Sequence, residues 1–122
     1  RSQSQYVRAQ LAGNQQECSN GERAFLFFTE RITQDRLYLL DEPENSLSPS
    51  RQVELARFLA DSARFYGCQL IISTHSPFLL AIQEARIYDL DQDPVRVRSW
   101  TELENVRAYY QFFYDHRDEF EK

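Results

Sequence analysis

The chain has 122 residues, which is enough for one domain with a modest core or for part of a larger one. Apolar residues make up 42% of it and aromatic residues 14%, values typical of a folded protein and not of a disordered segment. The formal net charge of -5 argues against broad electrostatic attraction to nucleic acid or to an anionic membrane.

Targeting and redox signals are weak throughout the sequence. No apolar run approaches the length of a transmembrane helix, and the first ten residues, RSQSQYVRAQ, lack the apolar stretch of a signal peptide. Cys18 and Cys68 are isolated, without the paired spacing of a zinc or redox motif. We therefore predict a cytoplasmic protein with reduced thiols and no direct membrane insertion.

Apolar periodicity and turn residues predict helices and strands in alternation after a polar, Gln-rich start at residues 1–17. The expected elements are a helix at 22–32, a strand at 36–41, a helix at 49–66, a strand at 69–73, a short helix opening at Ser76-Pro77, strands at 87–90 and 95–98, and a helix at 101–114. For residues 22–32 the short length leaves a strand open as an alternative. The order strand, helix, strand, helix implies an α/β fold with a parallel sheet flanked by helices.

Local signals set the expected ends and faces of these elements. Pro49 suits the first position of the long helix and Gly67 its C-terminal stop, and Thr101-x-x-Glu104 predicts a capping box for the last helix. The uninterrupted apolar strand at 36–41 is of the kind that is covered on both faces. The predicted buried face of the long helix consists of Val53, Ala56, Leu59, Ala60, Ala63 and Tyr66.

Two carboxylates, Asp41 and Glu42, stand at the carboxyl end of the first strand, where open α/β sheets bind their ligands. One carboxylate there can hold a hydrated magnesium ion, and a second can orient a water for attack on a phosphoryl group. Acids are also common in solvated turns, so this pair alone leaves a purely structural turn as an equal alternative.

The second strand ends in another polar group of residues, Ser73-Thr74-His75-Ser76. If the two strands pair, His75 lies beside Asp41 and Glu42, where an imidazole can hydrogen-bond a terminal phosphate or its attacking water. Ser76 precedes Pro77, and for Ser76 an N-cap is the favoured interpretation.

A third stretch, CSNGERAFLFF at residues 18–28, begins a helix. Ser19-x-x-Glu22 before an apolar run is a capping-box pattern, which is the simpler explanation of these residues. A helix start with a serine hydroxyl, a glycine and free N–H groups is also an anion site, and the two interpretations are compatible.

Taken in the order of the chain, with residues 18–28 first, these stretches resemble the core of the ABC-type ATPases. LYLLDE is similar to the Walker B strand, NSLS to the D-loop, STHS to the switch-histidine loop and CSNGE to the signature motif. The resemblance covers roughly residues 18–90 and, with the C-terminal helix, implies that residues 1–122 are a partial ABC-type ATPase domain. Soluble members, grouped with DNA-repair and phage-defence ATPases, are closer in pattern than transporter subunits.

The resemblance implies roles for individual residues, with ATP and Mg²⁺ as cofactors. Asp41 would support the magnesium ion through water, Glu42 would be the catalytic carboxylate and His75 would contact the γ-phosphate. The nucleotide-binding residues of the signature motif would be Ser19, Asn20, Gly21 and Glu22, acting on ATP held by an opposing subunit.

The sequence departs from the family pattern at several positions. Cys18, Asn20 and Glu22 replace the commonest residues of the signature, and Ser48 stands where the D-loop usually has an aspartate, so that acid's communicating role is not carried over to Ser48.

A P-loop, G-x-x-x-x-G-K-[ST], is absent from the sequence. The glycines are Gly13, Gly21 and Gly67, none is followed by lysine, and the one lysine is Lys122. The expectation is therefore the C-terminal half of the domain, from a truncated chain, a proteolytic fragment or a split protein, and inactive by itself. The sheet would lack its P-loop strand, so that the isolated chain pairs with another copy across the gap or distorts around it.

The expected partners are the missing P-loop half and a second subunit in a homodimer, with nucleic acid expected by family association alone. Two other functions stay open: the ATPase subunit of a membrane transporter, and a non-catalytic module that keeps the fold and uses its interface for assembly.

Overall fold

The computed structural model describes residues 20–122. The expectations for residues 1–17, Cys18 and Ser19 lie outside this range. Within it, the chain divides into two compact units, one ending at Ile82 and the other comprising Gln83–Lys122.

Residues 20–82 of the first unit form a two-stranded parallel sheet and three helices. These elements are α1 (Asn20–Arg31), β1 (Leu37–Asp41), α2 (Pro49–Phe65), β2 (Gln69–Ser73) and the single turn α3 (Pro77–Leu80). The predicted alternation of helix and strand is confirmed, and residues 22–31 are helical, which settles the alternative left open by their length.

Helix α2 begins and ends where its local residues require. The Ser48 hydroxyl accepts a hydrogen bond from the Arg51 N–H over 3.3 Å, and Pro49 occupies the first turn, where no N–H is needed. After the helix, Gly67 has φ +69°, a left-handed conformation that a residue with a Cβ adopts only at a cost.

The buried stripe of α2 matches the predicted one in part, because Leu59 is buried and Ala56 and Tyr66 pack against the core. Leu55, Phe58, Leu59 and Ser62 are buried, whereas Val53 and Ala63 are exposed. Both stripes have helical spacing, and the helix turns its bulkier side chains inward because they remove more apolar surface from water. The buried core of this unit consists of Phe25, Ile32, Leu47, Leu55, Phe58, Leu59, Cys68 and Leu79.

The sheet is covered on one face only, which corrects the prediction that the strand at 36–41 is buried on both faces. In both strands alternate side chains point to opposite faces, and Tyr38, Leu40, Leu70 and Ile72 pack against the core. On the other face Leu37, Leu39 and Ile71 are 57%, 71% and 55% exposed. The described residues supply no element that packs over them.

The second unit contains the two strands predicted at 87–90 and 95–98, which pair as a hairpin. Strands β3 (Ile87–Asp89) and β4 (Arg96–Arg98) pair antiparallel, and they are followed by a 3-10 helix (Trp100–Glu102), α4 (Glu104–Asp115) and α5 (Arg117–Phe120). Helix α4 thus begins three residues later than the predicted start at residue 101.

The capping box of the second unit also lies earlier than predicted. The N–H and the hydroxyl of Ser99 both donate to Oε1 of Glu102, over 3.1 and 2.9 Å. The pattern S/T-x-x-E occurs twice in overlap, at Ser99–Glu102 and at Thr101–Glu104, and the first of the two caps the 3-10 turn.

Candidate functional site

The two strands of the first unit end at the same level. Asp41 is the register partner of Ser73, and the Glu42 N–H donates to the Ser73 carbonyl oxygen over 2.7 Å. Parallel pairing therefore brings the turn after β1 and the loop after β2 to one edge of the sheet, as the strand order requires.

Glu42 has a strained backbone. Its φ is +46°, in the left-handed region that non-glycine residues seldom occupy. Hydrogen bonds on both sides hold it there: its N–H donates to Ser73, and its carbonyl oxygen accepts from the Asn45 N–H over 3.1 Å. Such conformations cost roughly 1–3 kcal/mol and concentrate at functional sites. The left-handed conformation of Glu42 sets the direction in which its carboxylate leaves the sheet.

The side chains of Glu42 and His75 are in contact. Oε1 of Glu42 lies 3.3 Å from Nδ1 of His75, although the residues are 33 positions apart. Both side chains reach solvent, being 41% and 78% exposed. An imidazole protonated at Nδ1 donates to this carboxylate. The expected neighbourhood of these two residues is thus present.

Asp41 directly precedes Glu42 and is the last residue of β1. Its side chain follows Leu37 and Leu39 in the alternation of β1 and is exposed at the end of the open face of the sheet. Its two carboxylate oxygens are metal ligands of the kind that Mg²⁺ prefers. A different group, Glu42, Glu44 and His75, offers ligand atoms within 4.8 Å of one another and could also hold a metal ion.

Glu44 was not predicted as a site residue, yet it binds the loop after β2 with both carboxylate oxygens. The Thr74 hydroxyl donates to Oε1 over 2.6 Å, and the His75 N–H donates to Oε2 over 2.9 Å. The sequence signal for this contact is slight, because an acid after Pro43 is ordinary in a turn and its donors lie 30 residues away.

Gln52 makes a second connection to the same loop. Its Nε2 donates to the Leu47 carbonyl oxygen over 3.0 Å, and its Oε1 accepts from the Ser76 hydroxyl over 2.7 Å. Ser76 also accepts from the Leu79 N–H, so the predicted N-cap is confirmed. Three consecutive loop residues, 74 to 76, are thereby attached to the segment 44–52.

The start of α1 lies beside the start of α2. Gly21 and Glu22 line a cavity of about 530 Å³ together with Ser46, Ser48, Ser50, Arg51 and Glu54. The Arg51 guanidinium lies 3.4 Å from Glu22 Oε1 and 2.8 Å from Glu54 Oε2. Ser19 is outside the described residues, and of Asn20 the structure gives only its place as the first residue of α1.

None of the helices within residues 20–122 has both the length and the apolar character needed to span a bilayer.

Comparison with known protein families identifies a match to most of the first unit. Residues 10–81 match the family model described as "AAA domain, putative AbiEii toxin, Type IV TA system". The matched segment is more than half of the 122 residues, and it contains both Glu42 and His75. No curated protein matches the chain.

Proposed function

This chain belongs to the family of AbiEii-type AAA domains, and we propose that it binds and hydrolyses ATP as one half of an ABC-type ATPase. Membership of the family indicates nucleotide binding by a P-loop ATPase. The finer assignment, to an ABC-type C-terminal half, rests on the ordered motifs and on the site at the strand ends.

The contact between Glu42 and His75 is the observation that carries the proposal. The two side chains reach solvent from the segments that follow two adjacent parallel strands, and they meet over 3.3 Å. A carboxylate in this position can accept a proton from a water whose oxygen bonds to the γ-phosphorus as the bond to ADP breaks. In its doubly protonated form, His75 would donate from Nδ1 to Glu42 and from Nε2 to the γ-phosphate, where negative charge must be stabilised.

Asp41 would hold a hydrated Mg²⁺ at the same edge of the sheet. Its carboxylate is exposed at the last position of β1, and oxygen donors with room for water ligands suit this ion. When bound, the ion would neutralise charge on the nucleotide's phosphates.

Another segment would supply the P-loop, because no glycine of this sequence precedes a lysine. The open face of the sheet supports this part of the proposal. Leu37, Leu39 and Ile71 form an apolar surface, and each strand of the two-stranded sheet has one edge without a neighbour among residues 20–122. A P-loop half that adds a strand and a helix would cover both features.

Two such complete domains would bind ATP between them. Ser19, Asn20, Gly21 and Glu22 would contact the nucleotide of the opposing subunit. The cavity beside Gly21 and Glu22 opens at the starts of two helices, where N–H groups favour anions, which supports a phosphate at this place.

The test is Glu42→Gln in the intact protein that also carries the P-loop. Glutamine keeps the size of the side chain but cannot take up the proton, so ATP binding should persist while turnover falls by roughly 100-fold or more. Asp61→Asn on α2 is the matched control and should retain activity.

Normal hydrolysis by Glu42→Gln would remove Glu42 from the catalytic role. Absence of ATP hydrolysis by the unmodified intact protein would favour the alternative of a non-catalytic interaction module.

A further inference from the structure

Glu44 is the residue of the site whose contacts the proposed roles leave unexplained. Its carboxylate accepts two hydrogen bonds from two consecutive residues of the β2 loop, over 2.6 Å from Thr74 Oγ1 and 2.9 Å from the His75 N–H. Charge-assisted hydrogen bonds of this length are among the stronger ones in proteins. The negative charge of Glu44 thus binds the backbone N–H of His75, the residue whose ring meets Glu42, and the hydroxyl of its neighbour Thr74.

We infer that Glu44 is a positioning residue, which fixes the His75 loop against the turn after β1 so that His75 faces Glu42. This inference rests on the proposed hydrolysis at Glu42 and His75. Glu44 would act through His75 and would not itself touch the nucleotide.

The connectivity favours this role over a structural tie at an arbitrary place. Glu44 lies two residues after Glu42, in a turn that the Glu42 carbonyl and the Asn45 N–H close over 3.1 Å. One short segment therefore carries both the carboxylate that meets the His75 ring and the carboxylate that holds the His75 backbone. The same turn thereby places both the His75 ring and the Glu42 carboxylate that the ring contacts.

Thr74 makes the attachment tight. Its hydroxyl donates to Glu44 and accepts from the Ser76 N–H over 3.0 Å, so that one side chain joins the acid to the start of α3. With the Thr74 hydroxyl and the His75 N–H both directed at one carboxylate, the loop has little freedom to rotate His75 away. A loss of this restraint would let the ring leave Glu42 while the strands stay paired.

The test compares Glu44→Ala, Glu44→Gln and Thr74→Val in the intact, P-loop-containing protein, with Glu121→Gln as a charge control outside the site. Small displacements of a reacting group can cost about 100-fold in rate, so Glu44→Ala should lower kcat by roughly 10- to 100-fold with the KM for ATP unchanged. Glu44→Gln should recover part of the loss, because its oxygen can accept from the His75 N–H and its amide can donate to the Thr74 hydroxyl.

A double variant separates positioning from general damage. If Glu44 acts through His75, then Glu44→Ala should cause no further loss in a His75→Ala background. Amide hydrogen exchange gives a readout independent of turnover: exchange at the His75 N–H should accelerate in Glu44→Ala and stay unchanged in Glu121→Gln.

The outcomes separate this inference from the proposed function. Wild-type kcat in Glu44→Ala, or a full additional loss in the His75→Ala background, overturns the positioning role while Glu42→Gln still tests the hydrolysis. If the unmodified protein does not turn over ATP, the proposed function fails and the positioning role fails with it. If Glu44→Ala does not fold, Glu44→Gln and Thr74→Val decide by the same kinetic and exchange criteria.

Discussion

The Glu42 N–H donates to the Ser73 carbonyl oxygen over 2.7 Å, one step beyond the paired residues Asp41 and Ser73. This bond extends the parallel ladder into the turn after β1 and accompanies the left-handed φ of +46° at Glu42. The sheet itself therefore sets where the Glu42 carboxylate points. The loop after β2 begins at the same level, which allows His75 to meet it.

The open face of the sheet gives the first prediction. Leu39 is 71% exposed on that face, and the proposed P-loop half would bury it. Leu39→Glu should then prevent association with the P-loop half, because a carboxylate in an apolar interface lacks a partner. Leu90→Glu, at a residue 75% exposed in the second unit, is the control and should associate normally. Binding measured by titration calorimetry checks both, and equal affinity of the two variants would contradict the proposed cover.

Gly67 gives a prediction about stability. Its φ is +69°, and a Cβ at this position would collide with the Asp35 side chain. Gly67→Ala should lower the free energy of unfolding by about 1–2 kcal/mol, measured by urea denaturation. In an Asp35→Ala background the collision is removed but the unfavourable φ remains, so the loss should shrink without vanishing. An unchanged stability of Gly67→Ala would contradict the left-handed conformation.

The Cys68 thiol should be unreactive near neutral pH. Burial raises the pKa of Cys68, and its Sγ donates to the Thr33 carbonyl oxygen over 2.8 Å. In a Cys18→Ser background, alkylation should be slow in the folded protein and fast in urea. Labelling at equal rates in both states would show that the thiol is accessible.

The same thiol predicts a pH dependence of stability. In the unfolded chain the thiol ionises near its ordinary pKa, whereas burial raises the pKa of Cys68 in the folded protein. The folded state then binds more protons between these two values, so stability should fall as the pH rises through this window. Cys68→Ala should weaken the fall, and an identical alkaline profile in that variant would assign the loss to other groups.

Glu102 predicts the opposite dependence in acid. Hydrogen bonds from the backbone N–H and then the hydroxyl of Ser99 lower the pKa of Glu102. The contribution of this carboxylate is present above its unfolded pKa and is lost as the pH falls through its folded pKa. Amide exchange at residue 99 would measure the local stability of the 99–102 turn as a function of pH. Glu102→Gln should reduce the loss of this stability at acid pH. An unaltered loss at acid pH would show that the Ser99 bonds do not depend on the charge.

Features governed by neighbouring residues could be predicted from the sequence. Ser48-Pro49, Ser76-Pro77 and Gly67 mark helix ends through bonds within a few positions, and the structure has these ends within one residue. The pairing of the Glu42 and His75 loops followed from the strand order alone.

Features that depend on distant packing could not be predicted. Helix α2 carries two apolar stripes, and only the surrounding core decides that Leu55 and Phe58 lie inward while Val53 does not. The open sheet face follows from elements that residues 20–122 do not supply. Glu44 has no local pattern, because its two donors come from Thr74 and His75.

A double-mutant cycle between Glu42 and His75 tests the central claim most directly. In the intact, P-loop-containing protein, ATP turnover would be measured for Glu42→Gln, His75→Ala and the double variant. If the two side chains serve one reaction at the strand ends, the double variant should lose no more than Glu42→Gln alone, because residues that act as a unit are not additive. Losses that multiply, or wild-type turnover in either single variant, would contradict it.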